Sequence, residues 1–272
     1  MTLVDAGQVK LDYERSGDGG EPLLLIMGMS GTFDHWDAGF LEDLRRDFDV
    51  IVYDHRGVGS STRLGQDRLT IAQLAEDAAG LLAALEIDSA HVLGISMGGM
   101  VAQELALAGR AGINRVRTLA LGCTYCGGDG SALAGDDVMR RLGEGMSSGD
   151  RERAIRAAWE ANVSPSFAAN EDAYARFLEI GLRRAVSVEV IMAQMRAIAR
   201  HDTSARLPEI ELPTLVLHGT LDEMLPVQNG RMIAGLIPGS SLEIFEDVGH
   251  MFFWERPERS AELVRAHAAV HA

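Results

Sequence analysis

Strand-like and helix-like hydrophobic patterns alternate along the first half of the chain. Val9 to Tyr13 alternates apolar and polar positions, as a half-buried strand does, and Gly17 to Gly20 reads as a turn. Pro22 to Met27 and Val50 to Tyr53 are short, continuous apolar runs, the pattern of strands covered on both faces. Between them Phe40, Leu41, Leu44 and Phe48 follow helical spacing. Thr70 is placed to cap a helix whose apolar face is Ile71, Leu74, Ala78, Leu81, Leu82 and Leu85. His91 to Gly94 and Val116 to Leu121 read as further strands.

The rhythm then stops. From Cys123 to about Arg206 there is no strand-like run, only a Gly-rich entry and helical patterns such as Val188, Ile191, Met195 and Ile198. It resumes with a strand at Pro213 to Leu217, a helix near Gly230 to Leu236, a strand at Leu242 to Phe245 and a terminal helix from Pro257 to about Ala269. Such alternation predicts the α/β class, with a mostly parallel, doubly covered sheet. Residues 1–122 and 207–272 are expected to form the core, and 123–206 a helical cap inserted between two strands, placed to act as a lid.

Composition narrows the function. The 272 residues are 47% hydrophobic and 24% charged, ordinary values for a folded chain long enough to need no metal or disulfide staple. Forty acidic residues against 25 basic ones give a net charge of −15, which weighs against nucleic acid or anionic lipid as a partner. Two cysteines make no disulfide framework. Met1 to Asp5 lacks the basic-then-apolar pattern of a leader, and Leu23 to Met29 is far short of the ~20 apolar residues of a membrane helix. A cytoplasmic protein with a small-molecule partner is expected. Lys10 is the only lysine among abundant Arg, Ala and Gly, a composition typical of a high-GC bacterial genome.

Gly94-Ile95-Ser96-Met97-Gly98 follows an apolar strand and precedes a helical pattern. A strand turning sharply into a helix strains the residue at its apex, and small neighbours relieve the crowding, so Ser96 is the candidate nucleophile. A serine hydroxyl needs a base. Of eight histidines, His250 lies just after the last strand, where a loop meets the sheet's C-terminal edge and catalytic groups of open α/β sheets gather. His267 and His271 read as solvated and His218 as structural. Asp222, just past the strand Thr214 to Leu217, reaches the same edge and can orient the imidazole; Glu223 and Asp247 read as solvated loop charges. The order Ser96, Asp222, His250 is that of the nucleophile, acid and base in α/β-hydrolases.

On these residues the chain resembles the α/β-hydrolase-fold serine hydrolases, the group of bacterial esterases, enol-lactonases and cofactor-free haloperoxidases. Asp54-His55-Arg56-Gly57-Val58-Gly59-Ser60-Ser61 resembles that family's Asp-x-Arg-Gly-x-Gly-x-Ser loop, His218 to Pro226 its acid segment, and Gly249-His250 its base loop. The resemblance implies that the backbone N–H groups of Met29 and Met97 form an oxyanion hole. It also implies hydrolysis of a carboxylic ester or lactone through an acyl-enzyme, with no cofactor and no metal. The family's usual His-Gly is here Met27-Gly28. Rival readings on the same residues are a perhydrolase or haloperoxidase-type activity, a carbon–carbon bond hydrolase, and a ligand sensor with little turnover.

Methionines gather around these motifs, either as core filler or as the lining of an acyl pocket. The pocket candidates are Gly28, His35, Trp36, Met100, Met224 and Met251. Cys123-Thr124-Tyr125-Cys126 lacks a second ligand pair for zinc and reads as a hinge into the cap. Arg183-Arg184 reads as a solvated pair rather than a carboxylate clamp.

Overall fold

A computed structural model describes residues 2–65, 68–109 and 115–270. Its centre is an eight-stranded sheet in the order β1-β2-β4-β3-β5-β6-β7-β8. The strands are β1 (Thr2–Asp5), β2 (Lys10–Ser16), β3 (Glu21–Ile26), β4 (Phe48–Tyr53), β5 (Ala90–Ile95), β6 (Val116–Gly122), β7 (Thr214–Gly219) and β8 (Ser241–Phe245). From β4 through β8 every neighbouring pair is parallel; β1 and β2 add an antiparallel edge.

The apolar runs are continuous because both faces of the sheet are covered. In β3, Leu24 and Ile26 enter one core cluster while Leu23 and Leu25 enter the other. The first cluster is closed by α2 (Ile71–Ala84) and α3 (Met97–Ala108), the second by α1 (Ala38–Arg45) and the terminal α11 (Pro257–Val270). Each of the four β3 side chains is at most 1% exposed, a burial that contributes about 1.5–3 kcal/mol per residue.

Helices α4 (Asp136–Ser147), α5 (Arg151–Asn162), α6 (Pro165–Ala168), α7 (Glu171–Arg183) and α8 (Val188–Ile198) all lie between β6 and β7, with no strand among the residues described there. The remaining α-helices among the described residues are α9 (Gln228–Leu236), between β7 and β8, and α10 (Phe252–Glu255), between β8 and α11. Trp159 of α5, fully buried, stacks at tilted angles on Phe167, Tyr174 and Phe177 and meets Trp254 of α10 edge-on at 5.8 Å. The inserted helices are thus packed onto the core beside the loop that follows β8.

One local expectation changes, and one strand adds to the expected set. Phe48 does not extend α1 but opens β4, because its helical spacing from Leu44 coincides with the start of a strand. The edge strand β1 carries no readable alternation, since it is largely exposed and owes its form to pairing with β2.

Candidate active site

Loops leaving β3, β5, β6, β7 and β8 at their carboxyl ends carry Met29, Ser96, Cys123, Asp222 and His250. Strand β3 has β4 on one side and β5 on the other, so the winding reverses there and a crevice opens outside the strand ends. Ser96 stands at the break between β5 and α3 with φ 54° and ψ −124°, a conformation rare outside glycine and costing about 1–3 kcal/mol. The turn is tight: a Cβ on Gly98 would run into the Ile26 carbonyl, and one on Gly94 into that of Gly98. Ser96 does not use its side chain to cap α3, so the half-buried hydroxyl is left for other chemistry.

His250 and Asp222 meet at that edge. His250 Nδ1–H donates to Asp222 Oδ2 at 2.7 Å, and both residues are 5% exposed. The loop N–H groups of Met224 and Leu225 donate to Asp222 Oδ1 at 2.9 and 2.8 Å, which aims the carboxylate. His218, fully buried, donates from Nε2 to the Leu225 carbonyl at 2.6 Å and lies 3.1 Å from Asp222 Oδ2. Burial alone would raise the Asp222 pKa, but His250 and His218 outweigh it and hold it at about 2. Burial would likewise lower the His250 pKa; the charge of Asp222 and its hydrogen bond lift it well above the ordinary histidine value. With Nδ1 committed to the carboxylate, Nε2 is the nitrogen of neutral His250 that takes up a proton.

Met97 is the first residue of α3, so its N–H has no acceptor within the helix. The loop after β3 lies against the serine: a Cβ on Gly28 would stand 3.0 Å from Ser96 Cβ and 3.5 Å from its Oγ. The core braces this loop at both of its ends. His55 Nε2–H donates to the Met27 carbonyl at 2.9 Å, and the Phe33 N–H donates to Asp54 Oδ1 at 2.8 Å.

The other pocket candidates fall in varied places. Trp36 is 2% exposed and packs between Phe40 and Phe253; Met100 and Met251 are buried in the two core clusters; Met224 is half-buried. His35 abuts Phe177 of α7 at 5.5 Å, and its carbonyl accepts the Trp254 indole N–H at 2.8 Å. A groove of about 690 Å³ between α5, α6 and the loop after β7 touches the site at Asp222 and borders none of these residues.

Two carboxylate systems tie the inserted helices to the core. Glu255, 6% exposed, accepts the Gly249 N–H (2.8 Å), the Ser164 N–H (2.8 Å) and the Ser164 hydroxyl (2.5 Å), stapling the His250 loop to the start of α6. Arg184, expected to be solvated, instead reaches Asp54 (2.5 Å), Asp34 (3.1 Å) and Asp12 (3.2 Å) and lies over the Phe33 ring. Three acids from separate segments converge there, a grouping with no local sequence signal. Burial raises the Asp54 pKa to about 6, only partly countered by the Phe33 N–H and by Arg184.

Replacing Arg184 with methionine is therefore expected to destabilise the fold by about 3 kcal/mol in denaturant titrations at pH 8, because buried acids lose their counter-charge. A folded pKa above the unfolded one means that stability from Asp54 is lost as pH rises from about 4 to about 6. The deficit of the variant should accordingly shrink at pH 5, where Asp54 can hold a proton; an equal deficit at both pH values would contradict this account.

Cys123, expected in a hinge, directly follows β6. It is fully buried with φ 37°, and its sulfur lies within 4.8 Å of an Asp222 oxygen and a His250 ring nitrogen. Burial pushes its thiol pKa up, so at neutral pH the imidazole faces a neutral thiol. Both cysteines are free. His267, expected in solvent, is half-buried and reaches the Pro213 carbonyl at 3.2 Å; His271 lies outside the described residues. Among the described residues no helix is long and apolar enough to cross a membrane.

A family model described as the alpha/beta hydrolase family matches residues 24–263. The chain is 28% identical over 97% of its own length and 97% of the other's to "Putative carbamate hydrolase RutD" of Azorhizobium caulinodans. It is 28% identical, over 95% of its length and 90% of the other's, to the 2-hydroxy-6-oxononadienedioate/2-hydroxy-6-oxononatrienedioate hydrolase of Paraburkholderia xenovorans. The crystal structure of the esterase RhEst1 from a Rhodococcus species superposes with a TM-score of 0.83 at 26% identity, covering 99% of this chain and 98% of that one.

Proposed function

The chain belongs to the alpha/beta hydrolase family, and on that premise we propose that it is a serine hydrolase of a carboxylic ester or lactone. The observation that carries the proposal is the strained Ser96 at the head of α3, on the same sheet edge as a buried, charge-paired imidazole. A left-handed serine that caps nothing is an expense the fold bears for chemistry. Similarity to an esterase supports an ester bond among those that hydrolases of this family cleave.

In this reading Ser96 Oγ attacks the carbonyl carbon and passes its proton to His250 Nε2. The carbonyl electron pair moves onto oxygen, where the Met29 and Met97 N–H groups receive it; one such donor contributes about 3–4 kcal/mol. As the tetrahedral species collapses, His250 returns the proton to the departing alkoxide. Water, losing a proton to His250, then attacks the acyl-enzyme, and collapse of the second tetrahedral species releases the acid and restores the Ser96 hydroxyl. Asp222 remains ionised throughout and stabilises the imidazolium, in keeping with its depressed pKa. Residues 123–206 form a cap over this edge and set which substrates reach it.

A fluorophosphonate probe, followed by mass spectrometry of the digested protein, tests the reading. Labelling is expected at Ser96 alone. Its rate should rise about tenfold per pH unit up to a midpoint above the ordinary histidine value of about 6.5, since protonated His250 cannot accept the serine proton. Absence of label points to the sensor reading, and a rate flat between pH 5 and 8 removes His250 as the base.

A further inference from the structure

The loop following β3 is held by the core at both ends, through Met27 and Phe33, but its middle is held from the inserted helices. The Ser30 N–H donates to Oε1 of Gln194, on α8, at 2.9 Å across 164 residues of sequence. Ser30 has φ 58°, and the turn it occupies closes through a long bond of 3.4 Å from the Gly31 N–H to the Gly28 carbonyl. A positive φ at the third position of a turn belongs to the type II geometry, which prefers glycine or asparagine there. A serine gains by flipping the central peptide back to an ordinary turn, and the turn's own weak closure offers little resistance. The central peptide's N–H is the group that Gln194 grips. That turn contains Met29, and the Met29 N–H shares a peptide plane with the Gly28 carbonyl that closes it.

We propose that Gln194 is a positioning residue for the oxyanion hole: by holding the Ser30 peptide it keeps the turn in the conformation that aims the Met29 N–H at the reacting carbonyl. This rests on the reading of Met29 as an oxyanion donor given above. A second observation argues that Gln194 is retained for this bond rather than for stability. It is fully buried, and because Oε1 must face an N–H donor, Nε2 is left inside the protein with no partner among the described residues. A buried amide with one end unsatisfied is a poorer core residue than a hydrocarbon of the same length. The cap thereby completes the catalytic machinery of the core instead of only covering it.

The test compares wild type with Gln194→Met, which keeps the side-chain length without the acceptor, and Gln194→Asn, which keeps the amide but withdraws it by one methylene. For p-nitrophenyl butyrate, kcat is expected to fall about 10- to 100-fold in both, a fraction of the loss of a whole oxyanion donor. KM should stay within about threefold, since ground-state binding is not what the turn serves. The inhibition constant of phenylboronic acid, whose serine adduct is tetrahedral, should rise in parallel with the loss of kcat. The melting temperature of Gln194→Met should match or exceed that of wild type. A folded variant with wild-type kcat and boronate inhibition overturns the proposal, as does a loss confined to KM and melting temperature. Fluorophosphonate labelling of wild type separates the two levels: label on Ser96 with unaffected Gln194 variants defeats this inference alone, whereas an unlabelled Ser96 defeats the hydrolase reading and this inference with it.

Discussion

Ser96→Ala is expected to lower kcat for short p-nitrophenyl esters by about four to six orders of magnitude while leaving the fold intact. The loss is this large because the nucleophile and its base act as a unit. The fold should survive because the Ser96 side chain caps no helix and the substitution removes a single half-buried oxygen. The strained φ of 54° remains, so no relief of strain is expected either. Residual turnover within tenfold of wild type, with a melting curve unchanged, would place the chemistry elsewhere.

The next largest effect is expected from Asp222→Asn, about 10⁴-fold in kcat. Asparagine keeps the carbonyl oxygen that the Met224 and Leu225 N–H groups need, so the loop after β7 should hold its shape. Its amide nitrogen then takes the place of Oδ2 and offers hydrogens to His250 Nδ1 and His218 Nε2, both of which donate to Oδ2 or lie beside it in wild type. His250 must turn over to the tautomer that carries its proton on Nε2, which cannot accept one from serine.

Stability should change with a distinct pH signature. The folded Asp222 pKa of about 2 lies below the ordinary value of 3.8, so its contribution, roughly 2 kcal/mol, is present above about pH 4 and lost as pH falls through 2. The variant should be less stable than wild type by about that amount at pH 7, with the gap closing toward pH 2. A gap independent of pH would mean that the carboxylate is not stabilised in the way its two histidines imply.

Three contacts tie the inserted helices to the core. Glu255 binds the start of α6 to the His250 loop, Arg184 binds the turn after α7 to the acids around Phe33, and Gln194 binds α8 to Ser30. Each contact reaches a loop that carries, or directly adjoins, a residue assigned here to the reaction. Inserted helices so attached cannot shift far without disturbing these loops.

The amino-acid sequence by itself determined the α/β-hydrolase architecture and the identities of Ser96, Asp222 and His250 as candidates. Strands buried on both faces must be short apolar runs, a sharp strand-to-helix turn must have glycines at Gly94 and Gly98, and each candidate sits within a few residues of a strand end, so every one of these signals is local. What only the tertiary structure decided is which side chains from distant segments meet them: His55 under Met27, Cys123 beside His250, Glu255 between two loops, Arg184 among three acids, and Gln194 on Ser30. Nothing in the neighbouring residues marks a glutamine or an arginine as buried. That depends on where the inserted helices settle on the sheet, and packing of that kind is set by the sum of many weak contacts rather than by any pattern along the chain.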